Sequence, residues 1–183
     1  MKAVLIIDML NDFFREGPLV EAPDELTSRI NGLIGAARTA DMPIIWVRQE
    51  FSADLSDAFL AMRKRGISIC IEGTEGCELL SELDRHPSDY EVIKKRYSAF
   101  YQTNLDELIR ELGIRELVIA GINTHACVRM AAIDAYQRDL KVDIASDCVA
   151  SYDAEHHDVS LRYLGRDIAR VAPLAVLFPP EGT

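Results

Sequence analysis

The chain has 183 residues, enough for one domain with a substantial core and too few for two ordinary ones. Its formal net charge of −10 and the lack of a basic stretch exclude a phosphate-binding footprint, so a nucleic-acid partner is not expected. No apolar run approaches the roughly 18–20 residues of a membrane helix, so no membrane association is expected. Met1-Lys2 leads straight into Ala3–Ile7 with no signal-peptide pattern, so the expected location is the cytosol. The four cysteines, at 70, 77, 127 and 148, show no CxxC spacing and no zinc-like grouping with the four histidines, which points away from a disulfide framework.

Taken in chain order, Ala3–Ile7 reads as a buried strand that delivers Asp8 at its carboxyl end. Met9 to Glu21 reads as a loop broken by Gly17 and Pro18. Pro23-Asp24-Glu25 is a helix start, and Leu26, Ile30, Leu33, Ile34 and Ala37 form one stripe of the helix that follows. Pro43 introduces a second strand, Ile44–Val47. The polar-rich stretch 48–66, with helical spacing at Leu55, Phe59 and Met62, is the longest insertion and reads as a lid or substrate wall. Glu78–Leu83 is expected as a short helix, and Tyr90–Ile93 as a third strand delivering Lys94 and Lys95.

Thr103 and Asp106 have the spacing of a capping-box variant before a helix with Leu105, Leu108, Ile109 and Leu112 on one face, ended by Gly113. Glu116–Ile122 is a continuous apolar run, the pattern of a strand buried on both faces of a parallel sheet. Gly121 permits a sharp turn, and helical spacing resumes from Thr124 to Gln137. Lys141–Ala145 reads as a fifth strand delivering Ser146-Asp147, Ser151–Asp167 as a helix and Val171–Leu177 as a sixth strand. Strands and helices alternate throughout, which predicts one α/β domain: a three-layer sandwich with a parallel sheet covered by helices on both faces. There is no G-x-G-x-x-G after the first strand and no P-loop, so no nucleotide cofactor is expected.

Asp8, Lys94 and Cys127 follow the first, third and fourth strands, whose carboxyl ends lie at one edge of a parallel sheet. A helix-start cysteine there gains from unpaired N–H groups and the helix dipole, which favour thiolate over thiol. Asp8 then serves as base and a lysine as the cation that keeps it ionised and lowers the thiol pKa. Periodicity alone leaves Lys94 and Lys95 equivalent, since they point to opposite faces of a strand. It also leaves Cys127 open as a small buried hydrophobe, and Asp8 as a turn cap.

Three motifs in order carry a resemblance across Val4 to Val176. They are Leu5-Ile6-Ile7-Asp8-Met9-Leu10-Asn11-Asp12-Phe13, then Lys94-Lys95-Arg96-Tyr97-Ser98-Ala99-Phe100 followed by Thr103-Asn104-Leu105, then Gly121-Ile122-Asn123-Thr124-His125-Ala126-Cys127-Val128. With these the chain resembles the isochorismatase-like cysteine hydrolases, a family that includes nicotinamidases, N-carbamoylsarcosine amidohydrolases and ureidoacrylate-type amidohydrolases. Most members have Gln where Leu10 stands. The resemblance implies a Rossmann-like sheet of six parallel strands in the order 3-2-1-4-5-6. It implies Asp8 as general base, Lys94 as its cationic partner and Cys127 as nucleophile. It also implies a cis peptide between Ile122 and Asn123 that turns the Asn123 N–H, with that of Cys127, toward a substrate carbonyl oxygen.

One departure stands out. The nicotinamidase branch carries an Asp-x-His metal site after the second strand, whereas this chain reads Arg48-Gln49-Glu50-Phe51-Ser52. Glu50 is then a loop carboxylate, and no metal or other cofactor is expected. Candidate substrate contacts are Phe13 and Tyr97 as apolar walls, Arg48 as a carboxylate clamp and His125 beside the nucleophile, with packing or surface roles as the alternative for each. For His125 that alternative is a helix-start histidine bonded to backbone. Cys70, Cys77 and Cys148 read as structural.

The resulting expectation is a metal-independent cysteine amidohydrolase acting on a small amide or ureido compound through an acyl-enzyme. The competing expectations are isochorismatase-type vinyl-ether hydrolysis, which needs no thiol, and a catalytically silent binding module of the same fold. A thiol-redox role is disfavoured by the lack of a nearby resolving cysteine. Family members are commonly oligomers, so a homo-oligomer is expected, with 48–66 as the segment that would complete a neighbour's pocket.

Overall fold

The computed structural model describes residues 1–15, 19 and 23–179. Six strands form one parallel sheet in the order β3-β2-β1-β4-β5-β6. They are β1 (Lys2–Ile7), β2 (Ile44–Gln49), β3 (Tyr90–Lys94), β4 (Glu116–Ile122), β5 (Lys141–Ala150) and β6 (Arg170–Ala172). The helices are α1 (Asn11–Phe14), α2 (Pro23–Thr39), α3 (Leu60–Arg65), α4 (Leu105–Glu111), α5 (Arg129–Tyr136), α6 (Ala154–Asp167) and α7 (Leu174–Leu177). Among the described residues no helix is long and apolar enough to cross a membrane.

Side chains of β1 alternate between two cores, as strand geometry requires. Val4 and Ile6 face a layer built by the Ile30, Leu33, Ile34 and Ala37 stripe of α2, with Leu177 of α7. Ala3, Leu5 and Ile7 face the opposite layer, built from Leu105 and Ile109 of α4, Ala131, Ala132 and Ala135 of α5 and Leu164 of α6. A third, smaller cluster of Leu10, Phe51, Ala58, Met62, Cys70 and Cys77 roofs the carboxyl ends of β1 and β2. The expected insertion 48–66 therefore folds back onto its own chain: Phe51 bridges Ile71, and α3 ends at Gly66 in a left-handed cap.

Four expectations need correction. Glu78–Leu83 is not helical, because the Asn11 N–H donates to Glu78 O and the Leu80 N–H to Met9 O, which holds the segment extended beside residues 9–11. Residues 11–14 are helical where a loop is expected, while 16–18 and 20–21 of that loop lie outside the described residues. Thr103 accepts from the Leu105 N–H, two residues on, in place of a capping box. Pro173 ends β6 after Ala172, and Leu174–Leu177 turns into α7 under the sheet.

The correction with most effect on the site is in β5. Ile119 of β4 pairs with Ile144, but Gly121, two residues on, pairs with Val149, five residues on. This bulge carries β5 past Ala145 and sets Ala150, Ser151 and Tyr152 at the sheet edge. Asp147, expected at that edge, instead accepts the Leu174 N–H at 2.8 Å.

Gly121 has φ +104°, and a Cβ there would stand 2.1 Å from the carbonyl oxygen of Ile7. Backbone approach of β4 to β1 thus depends on a missing side chain, one residue before Ile122-Asn123 and one before Asp8. Gly121→Ala is expected to destabilise the fold by about 3 kcal/mol or more, combining a left-handed backbone with a backbone clash. Equilibrium urea unfolding measures this, and a loss below about 1 kcal/mol would contradict the close-approach account.

Candidate active site

β1 and β4 are neighbours whose chains continue in opposite directions across the sheet, which makes the crevice at their carboxyl ends the topological switch point. Asp8 follows β1 with φ +55°, a left-handed residue where the strand turns. Lys94 ends β3, and Gln49 ends β2. Asn123 follows β4 across a cis peptide bond after Ile122. Cys127 lies in a π-helical turn, Thr124–Val128, that leads into α5.

These groups converge. Lys94 is 0% exposed, Asp8 1% and Cys127 4%. Lys94 Nζ stands 2.7 Å from Asp8 Oδ2 and donates to Gln49 Oε1 at 3.1 Å and to Cys127 Sγ at 3.5 Å. Asp8 Oδ1 accepts the Gln49 backbone N–H at 3.0 Å. Asp8 Oδ2 is the oxygen that faces the Lys94 ammonium, and Asp8 and Lys94 both act on the Cys127 thiol. Lys95 points the other way and pairs with Asp57 at 3.0 Å, so Lys94 is the lysine of the crevice.

Burial opposes the charge of Lys94, but Asp8 and Cys127 outweigh it and hold its pKa above the ordinary lysine value. For Cys127 the balance falls the other way from the expected thiolate. Burial pushes the thiol up, Lys94 pulls it down and Asp8 pushes it up again, leaving it at about 12. The lysine spends its charge on the carboxylate, so the resting cysteine is a thiol next to an ion pair. Burial likewise raises Cys77 and Cys148 to about 12 and Cys70 above its ordinary value.

The substrate-side candidates separate. Arg48 faces away from the crevice. Its guanidinium donates to Cys77 O at 2.8 Å and to Glu91 Oε1 at 3.2 Å and stands 3.5 Å from Glu50 Oε2, so its charge is already met by two carboxylates. Phe13 packs between the α2-side core and the roof cluster. Tyr97 stacks on Phe59 with ring centroids 4.8 Å apart, and Phe59 meets Phe51 edge-on at 5.8 Å. His125 is bonded to side chains in place of backbone: Nδ1 to Ser151 Oγ at 2.5 Å and Nε2 to the Tyr152 hydroxyl at 3.2 Å. Burial holds its pKa below the ordinary histidine value, opposed by Asp153.

Sequence reasoning missed Gln49 and Tyr152. Gln49 could be found as the last residue of a strand, the position that supplies Asp8 and Lys94. Tyr152 had no such signal, because only the β5 bulge brings it to this edge.

After β2 the loop carboxylate Glu50 is engaged by its neighbours. Glu50 is held by Arg48 and receives the Cys77 thiol at 3.7 Å. Among the described residues no three His, Cys, Asp or Glu side chains are grouped to hold an ion.

The isochorismatase domain model matches residues 2–175. A protein of Arabidopsis thaliana named "probable inactive nicotinamidase" is 32% identical over 87% of this chain and 85% of its own length. The ureidoacrylate amidohydrolase RutB of Agrobacterium fabrum is 32% identical over 73% of this chain and 69% of its own. The crystal structure of the nicotinamidase/pyrazinamidase PncA from Bacillus subtilis superposes with a TM-score of 0.83 at 32% identity, covering 93% of this chain and 98% of that one.

A thiol held near 12 makes alkylation of Cys127 by iodoacetamide climb about tenfold per pH unit between about pH 7 and pH 10, with no plateau, since only thiolate reacts. Mass spectrometry of the labelled peptide, with Cys127→Ser as control, gives the rates. A plateau at or below about pH 9 would contradict the burial-dominated balance.

Proposed function

The chain belongs to the isochorismatase family, and from that premise we propose that it is a cysteine hydrolase cleaving the C–N bond of a small amide or ureido compound through an acyl-enzyme. The observation that carries this reading is the buried contact of Lys94 with both Asp8, at 2.7 Å, and Cys127, at 3.5 Å. A structural role alone gives no reason to bury a thiol against an ion pair.

In the proposed reaction Asp8 Oδ2 takes the Cys127 proton as sulfur attacks the substrate carbonyl carbon. Lys94 stays protonated and neutralises whichever partner carries the negative charge. The carbonyl oxygen becomes an oxyanion facing the backbone N–H groups of Asn123 and Cys127, a type of contact worth about 3–4 kcal/mol per donor. The intermediate collapses, the C–N bond breaks, and Asp8 returns the proton to the departing nitrogen as amine or ammonia. Water then enters, gives a proton to Asp8 and attacks the thioester carbon. The C–S bond breaks, the acid leaves, and the proton on Asp8 goes back to sulfur.

Because the resting thiol is neutral, proton transfer and attack are coupled in this scheme. In this scheme Asp8 is the base, and the Lys94 ammonium stands against its carboxylate at 2.7 Å. Gln49 fixes both: its backbone N–H orients one carboxylate oxygen and its side-chain oxygen takes a lysine proton. In this scheme the triad supplies all proton transfers and the backbone the oxyanion contacts.

Cys127→Ala is expected to keep the thermal midpoint within a few degrees and to lower turnover at least about 1000-fold, the scale for loss of a catalytic nucleophile. Ammonia release from a panel of neutral amides and ureido acids, with and without chelator, measures this. Activity near wild type in Cys127→Ala would move the protein to thiol-independent chemistry such as vinyl-ether hydrolysis. Loss of activity with chelator would overturn the metal-independent scheme.

A further inference from the structure

Three consecutive residues latch the turn that carries Cys127 to the end of β5. Asn123 Oδ1 accepts the Tyr152 backbone N–H at 3.4 Å, Thr124 Oγ1 donates to Ala150 O at 3.0 Å, and His125 Nδ1 stands 2.5 Å from Ser151 Oγ. Asn123 O in turn accepts the N–H groups of Ala126 at 3.0 Å and Val128 at 3.2 Å, which closes the backbone around Cys127. The β5 bulge makes this latch possible, because it brings Ala150 level with Ile122.

Thr124, which is 0% exposed, has one further partner from a different element. α6 packs along the turn, and half-buried His157, near the start of that helix, sets its Nδ1 2.9 Å from Thr124 Oγ1. The hydroxyl has a single proton and a carbonyl oxygen only accepts, so that proton goes to Ala150 O. His157 Nδ1 therefore carries a hydrogen and donates to the hydroxyl oxygen. Neutral imidazole protonated on Nδ1 and imidazolium both meet this need, so the contact does not depend on the charge of His157. The fold has other holds on both elements. Asp153 caps α6 at the His156 N–H, Leu164 anchors it in the core, and the Thr124 hydroxyl is already satisfied by Ala150.

We propose that His157 is a positioning residue of the nucleophile turn: its Nδ1–H locks Thr124 against β5 and so holds Cys127 in the geometry its reaction needs. The inference rests on the hydrolase reading above and gives its nucleophile a support outside the triad. One hydrogen bond on the Thr124 hydroxyl fixes a distance, and two on the same oxygen, from β5 and from α6, fix a direction. The turn begins at Thr124 and carries Cys127 three residues on, so a tilt at Thr124 passes to the sulfur and to its 3.5 Å contact with Lys94. Misplacement of a reacting atom by about 1 Å costs about 100-fold in rate, whereas one half-buried hydrogen bond between neutral groups adds little to the stability of a domain. A positioning role and a stabilising role are thus read by different measurements.

The test compares His157→Phe, which keeps a planar ring and loses the donor, with His157→Asn, whose side-chain amide N–H takes the place of Nδ1–H. The first readout is acylation, followed as the release of p-nitrophenolate from p-nitrophenyl acetate that Cys127→Ala abolishes. His157→Phe is expected to slow it about tenfold or more with the thermal midpoint within a few degrees of wild type, and His157→Asn to restore it to within about threefold. Thr124→Val should slow it at least as much, and adding His157→Phe to Thr124→Val should slow it no further, since His157 acts through Thr124. The second readout is amide hydrogen exchange of the peptide spanning 122–129. Exchange there is expected about tenfold faster than wild type in His157→Phe and near wild type in His157→Asn, with β1 and β2 unchanged in both. Acylation within about twofold of wild type in His157→Phe overturns the proposal, as does an equal loss in the Phe and Asn variants or faster exchange spread over the whole sheet. If wild type releases no p-nitrophenolate through Cys127, the acyl-enzyme reading fails by itself and exchange decides. Acceleration confined to 122–129 in His157→Phe alone then supports the positioning role, and exchange equal to wild type overturns it.

Discussion

The buried Asp8–Lys94 pair is the constraint on which the rest of the site depends. Neither group touches solvent to any useful extent, so each charge is tolerable only while the other is present. The pair spans β1 and β3, which are not neighbours; β2 lies between them and closes the gap with Gln49, bonded to both. A buried ion pair of this kind contributes little net stability against a well-packed apolar alternative, whereas breaking it is costly. Its position beside the thiol sets a carboxylate and a cation within reach of sulfur, which packing alone does not require.

That same dryness sets the state of Cys127. A cation 3.5 Å from sulfur would ordinarily draw out a thiolate, and the first turn of a helix would add to the pull. Burial and the Asp8 charge overcome both. The expectation drawn from sequence gave the lysine two tasks, holding Asp8 and lowering the thiol pKa, while in three dimensions the carboxylate at 2.7 Å stands nearer to it than the sulfur at 3.5 Å. Spacing along a chain shows which groups reach one sheet edge, but the order of their distances decides which charge is already neutralised.

Much of the architecture was legible because it rests on local patterns. The apolar runs Ala3–Ile7 and Glu116–Ile122 became the two central strands, and the α2 stripe faced the core as its period required. The strand order itself came from the resemblance and matches the sheet. What was not legible depends on long-range contacts. Glu78–Leu83 has helical composition but is captured by residues 9–11 through backbone bonds. Arg48 looked like an anion clamp because its partners Glu91 and the Cys77 carbonyl lie about 30–40 positions away in sequence. The β5 bulge left no mark in the apolar pattern, so Ser146-Asp147 was assigned an edge that belongs to Ala150–Tyr152.

A thiol kept neutral at rest has a further consequence for what this crevice can do. Oxidation and metal capture both act on thiolate, so a cysteine held near 12 is a poor redox sensor and a poor metal ligand, which weighs against the thiol-redox alternative. In the proposed reaction it becomes reactive only when a carbonyl stands within reach and Asp8 takes the proton as the new bond forms.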